Sequence, residues 1–234
     1  MGTYNGDGHI VTNLNVSFGG SNSFFGQLGG TIMNFGIESG QITGACVGSI
    51  TSHSSNPQAL IINCYNRATV CGVRAGGIAD NFCGTILNCW TDCELISESP
   101  EYIGGIISYD ALAVQNCISI EENGRSYLDQ KDCKLIDKNN MNPSEIATML
   151  NDSLYSSALS SGIDYHQLNL WKVNEENNQI EFSDKKVSFK PQYVGLFIKT
   201  NFKQIIPYIF ITINLLIFVV MFIKYYKRKS TENS

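Results

Sequence analysis

The hydrophobic positions in the first half of the chain repeat over a distance much longer than a helical turn. A motif of an aliphatic residue, any residue and an asparagine occurs five times, and its asparagines are spaced 21, 29, 25 and 28 residues apart. A second motif, in which one or two glycines precede an isoleucine, recurs at 47–50, 75–78 and 103–106. Repeats of this length, with short β-branched runs and glycine corners, are typical of a solenoid of parallel strands. The pattern therefore predicts an all-β solenoid over residues 1–120.

The residues around each asparagine indicate a corner in the chain. The position two before the asparagine is always Val or Ile, and the position after it is Leu, Phe or Cys. This offset of three breaks the alternation of a strand, and asparagine tolerates the left-handed conformation that a corner needs. We expect the asparagines to stack in a hydrogen-bonded ladder with three buried cysteines beside it. The residues of this predicted structural ladder are Asn13, Asn34, Asn63, Asn88, Asn116, Cys64, Cys89 and Cys117.

Residues 121–203 follow a different pattern, with more charges and few glycines. Asn142 and Pro143 form a helix start, and apolar residues at helical spacing predict a helix near 143–160. Two apolar runs around a polar turn predict a hairpin near 170–182. We expect this region to be a cap or stalk that closes the end of the larger domain.

The most apolar stretch of the chain lies near its end, at 204–224. Residues 205–223 form an uncharged run of nineteen, and a helix of that length is about 28 Å long, close to the hydrocarbon thickness of a bilayer. We expect a single transmembrane helix at 204–224 and a basic cytoplasmic tail at 225–234. Because basic residues are enriched on the cytoplasmic side, this predicts a single-pass plasma-membrane protein with its N-terminal region outside.

The start of the chain conflicts with that orientation, because residues 1–6 enter the patterned region without an apolar signal sequence. One interpretation is that the chain is an N-terminally truncated piece of a longer protein. The other is a tail-anchored protein whose bulk lies in the cytosol. The repeats favour the first interpretation.

The net charge of the chain argues against one class of partner, the nucleic acids. The formal net charge is -5, and residues 1–120 contain two basic residues against eight acidic ones. A phosphate backbone requires a basic face. We therefore expect no nucleic-acid partner.

Candidate catalytic and metal-binding groups are sparse. The eight cysteines include no Cys-x-x-Cys pair, so core packing is the main interpretation, with a disulfide or a metal site as alternatives. The three histidines lie in no known triad or metal motif. The carboxylates of Asp80, Asp92 and Asp110 fall in different phases of the repeat, with only Arg67 and Arg74 as basic partners. We therefore predict no catalytic residue, no metal site and no cofactor.

The repeat motifs, especially those at 8–14, 30–34, 63–66, 76–78 and 84–89, resemble the GLUG-type repeats of large cell-surface proteins. This resemblance covers about residues 5–120, and it implies a right-handed parallel β-helix of an adhesin-like protein. Two departures from the pattern are Ser49, which replaces a glycine of the second motif, and the run 108–110, which replaces the usual glycine after that motif.

Together these observations predict a membrane-anchored display or adhesion protein without catalytic activity. It would bind an extracellular protein or glycan ligand through its solenoid. Two alternatives are a polysaccharide-acting enzyme on the same scaffold and a tail-anchored cytosolic scaffold.

Overall fold

A computed structural model describes residues 2–121 and 133–188 of the chain. This part is mostly β-structure, with a solenoid-like parallel β-helix of about four turns and one α-helix. The predicted transmembrane helix at 204–224 and the predicted tail at 225–234 lie outside the described residues. No helix in the described ranges is long and apolar enough to cross a membrane.

The strands are short, as expected for a chain that turns a corner every few residues. The first ten are β1 (Thr3–Asn5), β2 (Ile10–Val11), β3 (Leu14–Ser17), β4 (Ser21–Asn22), β5 (Thr31–Met33), β6 (Gly36–Ile37), β7 (Gly40–Gly48), β8 (Thr51–Ser54), β9 (Leu60–Ile62) and β10 (Tyr65–Asn66). The other ten are β11 (Thr69–Gly76), β12 (Ala79–Leu87), β13 (Trp90–Thr91), β14 (Leu95–Ile96), β15 (Ile103–Gly104), β16 (Ile107–Gln115), β17 (Cys117–Glu121), β18 (Cys133–Asp137), β19 (Asn169–Val173) and β20 (Ile180–Lys186).

Three six-stranded sheets form the faces of the solenoid, and all their pairings are parallel. Sheet A follows the order β1-β5-β9-β12-β16, with β8 also paired to β12. Sheet B follows the order β18-β17-β13-β10-β6-β2. Sheet C follows the order β14-β11-β7-β3, with β15 paired to β11 and β4 paired to β7. Because β18 pairs along its whole length with β17, sheet B continues past residue 120, where we expected the repeats to end.

The second repeat motif marks the corner between sheets C and A. Gly76 is in register with Gly48 on one side and Gly104 on the other. A Cβ atom at Gly76 would overlap the carbonyl oxygen of Ala79, and one at Gly104 would overlap that of Ile107. Glycine is required here because the chain folds back on itself with no room for a side chain.

The core is a column of aliphatic and aromatic side chains enclosed by the three sheets. Stacked isoleucines fill the sheet A side, where Ile32, Ile61 and Ile86 are in register and at most 1% exposed. Phe35 and Phe82 are also buried in this cluster. Each rung buries its own apolar residues against those of the next, which is the source of stability in a solenoid.

The segment after the solenoid contains helix α1 (Pro143–Ser161) and the antiparallel hairpin β19–β20. The side chain of Asn142 caps the helix by accepting hydrogen bonds from the backbone of Ser144 and Glu145, and Gly162 ends it with a left-handed φ of 73°. Both elements lie close to the predicted spans.

The position of this segment differs from our expectation. We expected it to close the end of the domain, but it packs along the side of the stack. Its residues bond to Asn116 on a late rung and to Asn34 on an early one. The physical reason is that the corner between sheets A and B presents buried polar groups and aromatic rings that need a cover.

Candidate functional site

The predicted asparagine ladder lies at the corner between sheets A and B, but it has four members instead of five. Asn34, Asn63, Asn88 and Asn116 each follow an in-register position of sheet A and have φ between 52° and 57°. Asn13 also has a positive φ of 54°, yet it lies beside Ser39 at the corner between sheets B and C. The first rung has Gly6 at the ladder position, so the sequence alignment through Asn13 was wrong.

The amides of the early rungs bond partly to one another and partly to the hairpin. Asn63 Nδ2 donates to Asn34 Oδ1 at 2.8 Å, and Asn34 Nδ2 donates to Asn5 Oδ1 at 2.7 Å. The hairpin side supplies further partners. Asn63 Nδ2 donates to the carbonyl oxygen of Asn169, whose backbone N–H donates to Asn34 Oδ1.

The amides of the late rungs bond to helix α1 instead of to the ladder. Asn88 Nδ2 donates to the carbonyl oxygen of Leu150 at 3.0 Å, and Ser153 Oγ donates to Asn88 Oδ1 at 2.6 Å. Asn116 Nδ2 donates to Ser157 Oγ at 3.0 Å. The predicted continuous ladder is therefore interrupted between Asn63 and Asn88, where the buried Oδ1 of Asn63 has no hydrogen-bond partner.

The three predicted cysteines stack in the core directly after these corners. Cys64, Cys89 and Cys117 are fully buried, and the backbone N–H of Cys89 lies 3.5 Å from Cys117 Sγ. Cys133 extends the column, because it is in register with Cys117 on the neighbouring strand. No disulfide bond joins the cysteines in the described part of the chain. Burial raises the pKa of Cys89 and Cys117 well above the ordinary thiol value, so these two side chains are uncharged packing groups.

An aromatic cluster on the outer face of sheet B joins the solenoid to the hairpin. The rings of Tyr65 and Trp90 stack at 4.9 Å with an angle of 6° between their planes. Trp171 of the hairpin meets both rings edge-on at 5.9 Å and stacks on Phe182 at 4.2 Å. We call these four residues the aromatic seam.

Arg67 closes the edge of the aromatic seam. Its guanidinium lies 4.9 Å from the centre of the Trp90 ring and forms an ion pair with Glu38 at 2.8 Å. It also donates to the carbonyl oxygen of Ile180 in the hairpin at 3.2 Å. Burial is the main cause that raises the pKa of Tyr65, and the hydrogen bond to Glu38 raises it further. Arg67 is thus a structural clamp between the solenoid and the hairpin.

The second arginine of the repeats is held in a separate cluster near the corner between sheets C and A. Arg74 donates to Asp80 at 2.7 Å, and Ser108 Oγ donates to the other carboxylate oxygen of Asp80 at 2.6 Å. Asp80 is buried, and the guanidinium of Arg74 lies 5.0 Å from the centre of the Tyr109 ring. Asp110 is exposed on the neighbouring strand, opposite Asn81. The two carboxylates therefore face different environments.

The remaining titratable groups are scattered. His9 bonds to the carbonyl oxygen of Gly6, His53 lies opposite Asn81, and His166 lies in a short 3-10 turn. Asp92 pairs with Lys138 at 2.8 Å. Within residues 2–121 and 133–188, no three His, Cys, Asp or Glu side chains are grouped so as to hold a metal ion.

Side chains on the faces away from the hairpin remain open to solvent. Five large apolar residues of sheets C and A and of the short turn between β14 and β15 are exposed by 38% to 65%, and we call them the open face: Val73, Ile96, Tyr102, Tyr109 and Leu112. The sequence analysis did not identify this set, because a single apolar residue in a strand or turn gives no sign that its side chain is exposed. The fold of the solenoid places them on sheets C and A and the adjoining turn.

Comparisons of the chain with protein-family models, curated proteins and solved structures give no match. The resemblance to GLUG-type repeats therefore stays a prediction.

Proposed function

We propose that this chain is a cell-surface display or adhesion protein that binds a ligand without catalysing a reaction. The observation that carries the proposal is the contrast between the two sides of the solenoid. One side is covered by α1 and the hairpin, through the aromatic seam and the asparagine corners. The other side presents the open face. Exposed apolar clusters on a rigid scaffold are typical of interaction surfaces.

The state of the charged residues supports a binding role over the alternative of a polysaccharide-acting enzyme. An acid–base pair needs two carboxylates that face one site. Asp80 is buried and engaged by Arg74 and Ser108, whereas Asp110 points outward on the next strand. Arg67 is engaged by Glu38 and the hairpin.

The membrane anchor and the handedness of the coil are parts of the same proposal. We infer from the sequence that residues 204–224 span the plasma membrane once, with the solenoid outside and residues 225–234 in the cytoplasm. We also infer that the coil is right-handed, as the GLUG resemblance implies.

The topology is tested by protease treatment of intact cells that express the chain with a C-terminal epitope tag. We expect the solenoid to be cut while a small tagged fragment survives. If the whole chain resists protease until the membrane is opened, its bulk is cytosolic and the tail-anchored scaffold replaces the display role.

The binding role is tested by adhesion of the same cells to immobilised host or neighbour cells. A double variant of the open face, Tyr109→Ser with Leu112→Ser, is expected to reduce adhesion several-fold. The matched control is Leu159→Ser, which removes an exposed leucine on α1. Equal adhesion by both variants contradicts binding through the open face, and release of new reducing ends from a polysaccharide favours the enzyme instead.

A further inference from the structure

Four residues of the open face gather around one strand of sheet C. Val73 and Arg74 are consecutive in β11, and Ser97 Oγ, next to Ile96, donates to the carbonyl oxygen of Val73 at 2.7 Å. Tyr102 precedes Ile103, which is in register with Ala75. Tyr109 lies under the guanidinium of Arg74. The four apolar residues therefore lie around β11, and their side chains are open to solvent: Val73 is 52%, Ile96 42%, Tyr102 38% and Tyr109 55% exposed.

Acidic side chains border the same surface. Glu94 and Glu98 flank β14, Glu101 lies in the turn that carries Tyr102, and Asp110 lies in β16. All four are exposed. The ion pairs between described residues include none of these four acids. In the described segment from β11 to β16 the one basic residue is Arg74, and its charge is already matched by the buried carboxylate of Asp80. The surface therefore has a net negative charge.

We propose that this acidic aromatic patch, formed by Val73, Ile96, Tyr102 and Tyr109 with Glu94, Glu98, Glu101 and Asp110, binds a lysine- or arginine-bearing segment of a partner protein. The proposal rests on the display role proposed above and names the chemistry of its ligand. Charge complementarity selects a cationic partner.

The patch offers three kinds of contact to a cationic side chain. The exposed ring of Tyr102 suits a cation over its face. The four carboxylates accept charge-assisted hydrogen bonds from ammonium or guanidinium groups. Val73 and Ile96 cover the apolar stems that lysine and arginine carry below their charged ends. A neutral glycan would leave the four carboxylates without a charged partner.

The test is a titration of the purified full-length chain, in detergent, with a fluorescently labelled ten-residue lysine-rich peptide. The read-out is fluorescence anisotropy at low and at physiological salt. We expect saturable binding that weakens as salt rises, because part of it is electrostatic. The double variant Glu98→Gln with Glu101→Gln is expected to bind about tenfold more weakly, which is the loss of about 1.4 kcal/mol of binding free energy. The double variant Tyr102→Ser with Tyr109→Ser is also expected to weaken binding.

The matched control is Glu175→Gln with Glu176→Gln, which removes the same charge from an exposed turn of the hairpin. An equal loss in the control means that only the overall charge attracts the peptide, and this overturns the proposal. No peptide binding, or binding of a neutral cello-oligosaccharide that the Tyr102 and Tyr109 changes abolish, overturns it as well.

Failure of the cationic-ligand proposal can be distinguished from failure of the display role. If cells still adhere through the open face while the peptide does not bind, the display role stands and only the cationic ligand is wrong.

Discussion

Asn88 joins the solenoid to helix α1 by three hydrogen bonds, one donated to Leu150 and two accepted from Ser153 and Ser157. It is fully buried and has a φ of 55°. Two separate requirements therefore meet at one residue, since the backbone must be left-handed and the side chain must both donate and accept. Asparagine meets both, whereas glycine meets only the first.

We predict graded losses of stability at this position. Asn88→Gly keeps the corner but removes the amide, and we expect it to lower the free energy of unfolding by about 1–3 kcal/mol. Asn88→Ala adds left-handed strain of about 1–2 kcal/mol. Chemical denaturation followed by tryptophan fluorescence measures both changes. The control is Asn13→Gly at an exposed corner, which we expect to be nearly neutral, and an Asn88→Gly variant as stable as the unaltered chain would contradict this account.

Glu121 gives a prediction about pH. It is buried at the end of β17 next to Ser119, and burial raises its pKa from 4.5 to about 7. The folded state holds this proton more tightly than the unfolded state, so its contribution to stability is lost as pH rises from about 4.5 to about 7. We expect Glu121→Gln to be more stable than the unaltered chain at pH 8, by about 1–3 kcal/mol.

The two proteins should have similar stability at pH 4, where the carboxyl group is protonated in both states. Thermal unfolding at both pH values measures the difference. The exposed Glu175→Gln change serves as a control. An identical difference at pH 4 and pH 8 would show that Glu121 is not the titrating group.

Much of the residue-level pattern was accessible from the sequence, and the error at Asn13 shows where this stops. A recurring asparagine after aliphatic residues indicates a left-handed corner, and Asn34, Asn63, Asn88 and Asn116 occupy one. The same local motif also suits the corner between sheets B and C, where Asn13 lies. Short-range sequence specifies a corner conformation but does not distinguish between two corners of one rung. That distinction comes from strand register, which is non-local.

At the scale of the element, the aromatic seam is the main contact between the hairpin and sheet B. Trp171 is 3% exposed, and its indole N–H has no hydrogen-bond partner. The ring therefore contributes by packing alone. A change that keeps an aromatic ring should cost much less than one that leaves a cavity.

We predict that Trp171→Ala lowers the free energy of unfolding by about 3–5 kcal/mol, whereas Trp171→Phe lowers it by about 1–2 kcal/mol. Lys172→Ala, on the exposed side of the same strand, is the control and should have an effect below about 0.5 kcal/mol. Urea denaturation followed by far-UV circular dichroism reports all three. Similar losses for the Ala and Phe variants would mean that the indole makes a contact beyond packing.

The secondary-structure elements were easier to predict than the positions that they take in the fold. The cap at Asn142 and the apolar spacing after Pro143 are local signals, and helix α1 begins there. Nothing in that stretch states which surface the helix covers. The choice depends on Asn88 and Asn116, which come from other rungs and are brought together only by the coil.

At the scale of the whole molecule, the segment from α1 to β20 contacts the stack from its late rungs to its first. Lys186 bonds to Asp7 on the first rung and Ser157 bonds to Asn116. A bare solenoid loses rungs from its ends, because each rung contacts only its neighbours. A lateral segment that touches several rungs couples their unfolding.

We therefore predict that the backbone amides of β6 and β13 are nearly equally protected from hydrogen exchange. In the Trp171→Ala variant the protection of the two strands should differ. Strand β6, which is nearer the end of the stack, should exchange faster. The Lys172→Ala variant should keep them equal. A gradient of protection along the unaltered stack would show that the segment does not couple the rungs.

The position of this segment also orders events during synthesis. The rungs leave the ribosome first, while the residues that cover their asparagine corners and aromatic rings are added later. Until residues 142–187 emerge, water must occupy the places later taken by Leu150 and Trp171. A part of the chain that is made later therefore shields from solvent a part that is made earlier.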